Sequence, residues 1–247
     1  MAILDVKEIS INFGGVVGAD HISFELECGE IMGLIGPNGA GKTTVLNLIS
    51  GIYSVDAGQV FIDGQDVSKL PPFTRAELGL ARTFQTPRFL KKSSIRDNLY
   101  LGTDLADRLG FLRSFLGKKG GDFEKELHEM LKIAHFSLDW DMDIESVPYG
   151  QRKRLESIRS LLTHPEIILV DEPAAGLNLK ELEYSVDLLR YAAGKGIGVV
   201  VIEHKMDMIM NLCSKICVLN FGKVIGYGVP EEIKNNEAVI EAYLGKG

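Results

Sequence analysis

The sequence predicts an α/β fold: one large unit with a core of buried strands, an antiparallel β region near the N-terminus and a helical insertion in the middle. Three observations predict it. Apolar runs of strand length at Ile31–Ile35, Ile167–Val170 and Val199–Ile202 lack polar positions, as expected of strands covered on both faces. The first segments of the chain instead carry stretches of alternating apolar and polar residues. From Pro87 to Pro148 the strand runs disappear and helical periodicity replaces them. A length of 247 residues with 45% apolar composition is ample for a sizeable core.

Taken in order, Ile3 to Phe13 and His21 to Glu27 read as the strands of the antiparallel region, and Ile31 to Ile35 as a third strand that leads into a glycine-rich turn. Thr44 to Ile49 reads as the helix behind that turn. Gly58 to Asp66 reads as a hairpin with Asp63-Gly64 at its tip, and Leu80 to Phe84 as a strand closed by Gln85. Within the insertion, Ser94 to Leu105 is one candidate helix. A second runs from Gly121 to Phe136, with Phe123, Leu127, Met130, Leu131 and Ala134 at helical spacing. A helix opens at Tyr149, on which Arg152-Lys153-Arg154 reads as a solvated face. Val199 to Glu203, Lys215 to Leu219 and Lys223 to Tyr227 complete the strands.

The stretch Gly36-Pro37-Asn38-Gly39-Ala40-Gly41-Lys42-Thr43-Thr44 fills the phosphate-loop pattern G-x-x-x-x-G-K-[ST], between a strand and a helix as that pattern requires. Its glycines let backbone N–H groups turn toward an anion, Lys42 supplies charge for the β/γ-phosphates, and Thr43 offers a hydroxyl to Mg²⁺. The helix points the positive end of its dipole at the same place. Downstream, Asp171 and Glu172 end the run Ile167–Val170 at the strand edge where ligands bind in open α/β sheets. Asp171 is suited to the Mg²⁺ shell and Glu172 to orienting or deprotonating water.

With Gln85, Tyr149-Gly150-Gln151, Pro173-Ala174-Ala175-Gly176-Leu177-Asn178 and His204, the ordered set resembles the Walker A, Q-loop, signature, Walker B, D-loop and switch histidine of an ABC-transporter ATPase cassette, over about Leu4 to Leu244. That resemblance implies a P-loop NTPase fold with a RecA-like core and antiparallel β-subdomain over 1–86 and 149–247, and a helical subdomain over 87–148, all in one domain. It implies ATP and Mg²⁺ as ligands. Thr43, Gln85 and Asp171 would arrange the metal, with Glu172 and His204 catalytic. Phe13 matches the aromatic that stacks on adenine, against the plainer reading of an apolar strand residue.

Phe13-Gly14-Gly15, Arg82 to Arg88, Pro173 to Asn178, Ile202-Glu203-His204 and the tail Glu237 to Gly245 resemble one branch, the LivG-type subunit of branched-chain amino-acid importers. ATPases of urea importers and of lipopolysaccharide export share parts of this set. The implied partners are a second ABC ATPase subunit, in a heterodimer or a homodimer, two integral-membrane permease subunits and an extracytoplasmic solute-binding protein, at the cytoplasmic face of the membrane. Gly110 to Gly120, with two Phe and two Leu among basic residues, reads as packing against the insertion rather than as a membrane-surface or permease contact.

The signature departs from the family pattern Leu-Ser-x-Gly-Gln: here it is Val147-Pro148-Tyr149-Gly150-Gln151, with Pro148 in place of the serine and Ser146 as a neighbouring hydroxyl. A non-hydrolytic nucleotide-sensing module is the reading from another class, and Glu172 and His204 speak against it. Lys and Arg total 27 against 34 Asp and Glu, a net charge of −7, so a nucleic-acid surface is not indicated. The length leaves no room for a second cassette, and no run approaches the ~18 apolar residues of a spanning helix. Expectation is therefore of a soluble chain whose membrane role comes through partners. Cys28, Cys213 and Cys217 read as buried small residues rather than as a disulfide framework or zinc site.

Overall fold

Gly14 and Gly15, both at positive φ, turn β1 (Ala2–Phe13) back into β2 (Val16–Glu27). The second strand thus begins five residues before His21, because the turn glycines and Val16 to Asp20 conceal its start in the sequence. β4 (Ala57–Ile62) pairs with β1 on its other side and with the short β5 (Gln65–Asp66) across the turn at Asp63 and Gly64. Both turn residues have positive φ, as a two-residue hairpin requires. The result is an antiparallel sheet ordered β2-β1-β4-β5. The computed structural model describes residues 2–100, 120–136 and 139–244.

A second sheet carries β3 (Ile31–Ile35), β6 (Leu80–Arg82), β7 (Ile167–Asp171), β8 (Gly198–Ile202), β9 (Lys215–Asn220) and β10 (Lys223–Gly228). Its order is β10-β9-β3-β8-β7-β6, parallel except for β10. β3, β7 and β8 are buried at every position, which is why they read as unbroken apolar runs. Strand alternation sorts these side chains between two cores. Met32, Leu34, Leu169 and Val200 face α1 (Lys42–Ile49) and the antiparallel sheet. Ile31, Ile35, Val170 and Val201 face the other way, into the layer of the later helices.

That layer includes α3 (Gly120–Ile133), α4 (Tyr149–Leu161), α5 (Leu179–Gly194) and α6 (Met206–Leu212). Leu127, Met130, Leu131 and Ala134 are buried in one cluster with Leu155 and Ile158 of α4, as the helical spacing predicts. The side chain of Phe123 lies outside the described part. Residues 95–100 are helical, while the rest of the candidate helix to Leu105, and Gly110 to Lys119, lie outside the described residues. α7 (Pro230–Lys234) and α8 (Glu237–Leu244) close the chain against β10.

Two expectations are corrected. Cys28 is exposed, since it sits in the turn after β2; Cys213 and Cys217 are buried. Lys153 and Arg154 are 5% and 3% exposed, not on a solvated face, because α4 packs between the sheet and α3. Arg154 donates from Nη1 to the Ala134 carbonyl at 2.8 Å and lies over the Phe136 and Tyr184 rings, fastening the insertion to the core.

Arg75 of α2 (Pro72–Glu77) supports the helix behind the phosphate loop. It is 1% exposed and donates to the carbonyls of Leu48 and Ile49 at the end of α1, and to those of Ser68 and Leu70. Arg75→Ala leaves those carbonyls without their donor and is expected to destabilise the fold by about 3 kcal/mol or more, the scale of lost hydrogen bonds from a buried charge. A denaturant midpoint shift that small surface substitutions also produce would contradict this.

Candidate functional site

Four adjacent parallel strands end at one edge of the sheet and deliver the predicted residues side by side: the phosphate loop after β3, His204 after β8, Asp171 and Glu172 at β7, and Gln85 after β6. This is the carboxyl edge where open α/β sheets bind ligands. α1 starts at Lys42 with no side-chain cap and no acid in its first turn, leaving its leading N–H groups to an anion. The Lys42 ammonium donates to the carbonyls of Gly36 at 2.7 Å and Pro37 at 2.8 Å. Burial lowers its pKa, against the pull of Glu172 and Asp171.

Gly41 has φ 103°, and a Cβ there would stand 2.5 Å from the Gly18 carbonyl oxygen, so the loop closes on β2 only with glycine. Gly18 in turn admits the Phe13 ring: its own Cβ would lie 2.7 Å from Phe13 and 3.1 Å from the Thr44 methyl. Phe13 therefore sits beside the loop, 44% exposed, edge-on to Tyr53 at 5.3 Å. Thr43 is exposed.

Asp171 is 6% exposed, with the Arg82 guanidinium 3.7 Å away; burial pushes its carboxyl up and Arg82 opposes the rise. Glu172 adopts φ 49°, a left-handed backbone that residues with a Cβ rarely hold. Its Oε2 accepts from Gln85 Nε2 at 2.9 Å and its Oε1 pairs with His204 Nε2 at 2.8 Å. Partial burial raises this carboxyl, yet the two hydrogen bonds and the positive charge of Lys153 nearby together hold it below the usual range. Glu172 is thus an ionised acceptor between an amide and an imidazole.

Comparison with known proteins assigns the family. Residues 19–175, well over half of the chain, match the ABC transporter family. The chain belongs to that family. Residues 223–247 also match the branched-chain amino acid ATP-binding cassette transporter family. The chain is 34% identical to the high-affinity branched-chain amino acid transport ATP-binding protein LivG of Escherichia coli K12, over 99% of this chain and 98% of that one. It is 32% identical to the lipopolysaccharide export system ATP-binding protein LptB of the same organism, over 100% and 98%. A crystal structure of the ADP conformation of an ATP-binding cassette superposes with TM-score 0.84 at 29% identity, each chain covered in full. This chain is accordingly an ABC-type ATPase with an ATP-binding cassette fold.

In this ABC cassette, Pro148 is the N-cap of α4 at φ −54°, Tyr149 is 39% exposed, and Gly150 is buried where a Cβ would meet Glu181 and Leu177 at 2.8 Å. Among the described residues the buried Gln151 Oε1 atom has no hydrogen-bond partner. Ser146 donates its hydroxyl to the Asp143 carbonyl at 2.6 Å, so it is tied into its own turn. Helix α4 also reaches this site, for the Tyr149 hydroxyl donates to the Gln85 carbonyl at 3.0 Å.

Sequence reasoning missed several side chains around this ABC site. Arg82 beside Asp171 also donates to Asn47 and Ser50 of the α1 region. Glu203, 3% exposed, accepts from the amides of Ala174 at 2.5 Å and His204 at 3.0 Å, holding the chain on both sides of Glu172's partners. Glu156, 2% exposed, accepts from the Arg88 amide, and burial pushes its carboxyl up to about 7. No local pattern announces them, because each has a partner distant in the chain: Asn47 and Ser50 for Arg82, Ala174 for Glu203 and Arg88 for Glu156.

Proposed function

We propose that the chain is the ATP-binding and hydrolysing subunit that powers a membrane permease importing branched-chain amino acids. The observation that carries this is the C-terminal match over 223–247, since identity alone barely separates the import relative from the lipopolysaccharide-export relative. Among the described residues no helix is long and apolar enough to cross a membrane, which fits a subunit that works at the cytoplasmic face through permease partners. The test is reconstitution with a candidate pair of permease subunits and a second cassette. Turnover stimulated by a solute-binding protein loaded with leucine, isoleucine or valine supports import; stimulation by lipopolysaccharide or by urea assigns one of the alternatives.

We read the division of labour as a nucleotide-binding core over 1–86 and 149–247 and a helical subdomain over 87–148. Lys42 and the loop amides hold the triphosphate, and Phe13 stacks on the base. Thr43, Gln85 and Asp171 offer a hydroxyl, an amide oxygen and a carboxylate, a hard-oxygen set suited to Mg²⁺. The Gln85 amide nitrogen already serves Glu172, which leaves its oxygen for the ion. Bound there, Mg²⁺ would neutralise phosphate charge. Glu172 accepts a proton from the attacking water, and His204 both orients that carboxylate and faces the γ-phosphate.

Two cassettes pair head to tail in this reading, each signature completing its partner's site, with a related but different subunit as the second cassette. Pro148 then has no hydroxyl and no N–H for the opposite γ-phosphate. Ser146, bound to Asp143, supplies no free donor in its place. We expect unequal sites, the one relying on Pro148 being weaker by about 10- to 150-fold, the scale of one hydrogen bond to a charged group. In the assembled complex Pro148→Ser should raise turnover. If it does not, and glutamine substitutions of the two cassettes' catalytic glutamates are equally damaging, the sites are equivalent.

A further inference from the structure

Lys153 lies one turn beyond Tyr149 on α4, and the two share a face, with the ammonium 5.7 Å from the Tyr149 ring centroid. Among the described residues its ammonium makes no ion pair with a carboxylate, though Glu203, Glu172 and Glu156 lie near enough to act on it. The ammonium donates to the backbone carbonyl of Glu172. The same carbonyl accepts the Ala175 amide at 3.2 Å, so both its acceptor positions are filled. Glu172 stands immediately before Pro173, a position where helical backbone angles are disfavoured, and it nonetheless holds φ 49°. A disfavoured backbone persists only where its surroundings over-determine it. Here the surroundings are Lys153 on one side and, on the other, the Glu172 amide donating to the Ile202 carbonyl at 2.9 Å and Glu203 holding the Ala174 amide.

We propose that Lys153 is a positioning residue for hydrolysis: by gripping the Glu172 carbonyl it fixes the turn that aims the Glu172 side chain at Gln85 and His204, and it ties that turn to the first turn of the signature helix. Tyr149, on the same face, grips the Gln85 carbonyl. One helix start therefore holds the main chain of Glu172 and of Gln85, whose side chains are hydrogen-bonded to each other. In a head-to-tail pair, a shift of that helix against the partner's nucleotide reaches the chain's own carboxylate through two hydrogen bonds. The inference rests on the role given to Glu172.

The test compares Lys153→Met, Lys153→Arg, Glu172→Gln and the Lys153→Met/Glu172→Gln double variant, each assembled with its partner cassette. Lys153→Met should lower kcat by about 10-fold or more, with nucleotide Kd and KM within about threefold of wild type, since the contact is made to the catalytic turn and not to the ligand. Lys153→Arg, which keeps charge and donor, should recover much of the loss. In the Glu172→Gln background Lys153→Met should cost nothing further in kcat, because a residue that acts through Glu172 has nothing left to position. An unchanged kcat in Lys153→Met, an equal loss of nucleotide affinity, or full additivity in the double variant overturns the proposal. If Lys153→Met unfolds, as thermal melting would reveal, Lys153→Gln, too short to keep the grip on the Glu172 carbonyl, decides against wild type: an unchanged kcat, or kcat and nucleotide affinity falling together, overturns the proposal, and kcat falling alone sustains it. Should Glu172→Gln itself leave turnover unchanged, the reading of Glu172 fails and this inference falls with it.

Discussion

Glu172→Gln leaves ATP affinity intact and cuts turnover by about 10²-fold or more, the scale of general-base catalysis. The substitution keeps the size of the side chain, and one of its termini can still accept a hydrogen bond from Gln85 or His204, so the site keeps its shape. What disappears is the capacity to take a proton. Because the Gln85 and His204 hydrogen bonds, with positive charge nearby, hold the wild-type carboxyl below its usual range despite partial burial, it is ionised at neutral pH. The midpoint of any loss of activity through its protonation therefore lies below the ordinary glutamate value of about 4.3. Phosphate release in the assembled pair, with nucleotide titration of the same samples, checks both halves. A variant that hydrolyses at the wild-type rate, or one that no longer binds, contradicts the assignment.

Lys42→Ala produces the opposite split, with nucleotide affinity falling by about 10- to 150-fold because a charged donor to the β/γ-phosphates is gone. A second loss adds to it. The ammonium also holds the Gly36 and Pro37 carbonyls, so the empty loop loses its internal clasp along with its charge. Titration with a fluorescent ATP analogue gives the affinity, and thermal melting without nucleotide reports the clasp. An affinity within about threefold of wild type would show that the backbone amides alone carry the phosphate interaction.

The difference between these two residues was legible in the sequence because each belongs to a contiguous motif whose chemistry is local. Gly36 to Thr44 folds as a turn and the start of a helix directly after β3, and its ligand is dictated by that short stretch. The Ile167–Val170 run likewise announces a strand covered on both faces and places Asp171 and Glu172 at its end. Turn chemistry was equally readable at Asp63-Gly64. At β2 it failed, because Val16 to Asp20 extends the strand without the alternation that marks a half-exposed one.

Arg152-Lys153-Arg154 shows where such reading ends. Three consecutive cations on a helix are solvated unless something packs over them, and what packs over Lys153 and Arg154 is supplied by the turn at Glu172 and by Ala134, Phe136 and Tyr184. Those partners lie 18 to 30 residues away. Gln85 and Glu172, joined by a single hydrogen bond, are 87 apart. The sequence by itself determined the nucleotide chemistry, the buried parallel strands and the order of the motifs, since propensity, spacing and burial of neighbours along the chain suffice for these. Only the tertiary structure decided that four strand ends meet at one edge, that Glu203 and Lys153 brace the turn carrying Glu172, and that Ser146 is tied to Asp143 instead of replacing the absent signature serine. The physical reason is that a buried charge is tolerated only where distant carbonyls and carboxylates converge on it, and that convergence is a property of strand order and helix packing, not of any run of residues.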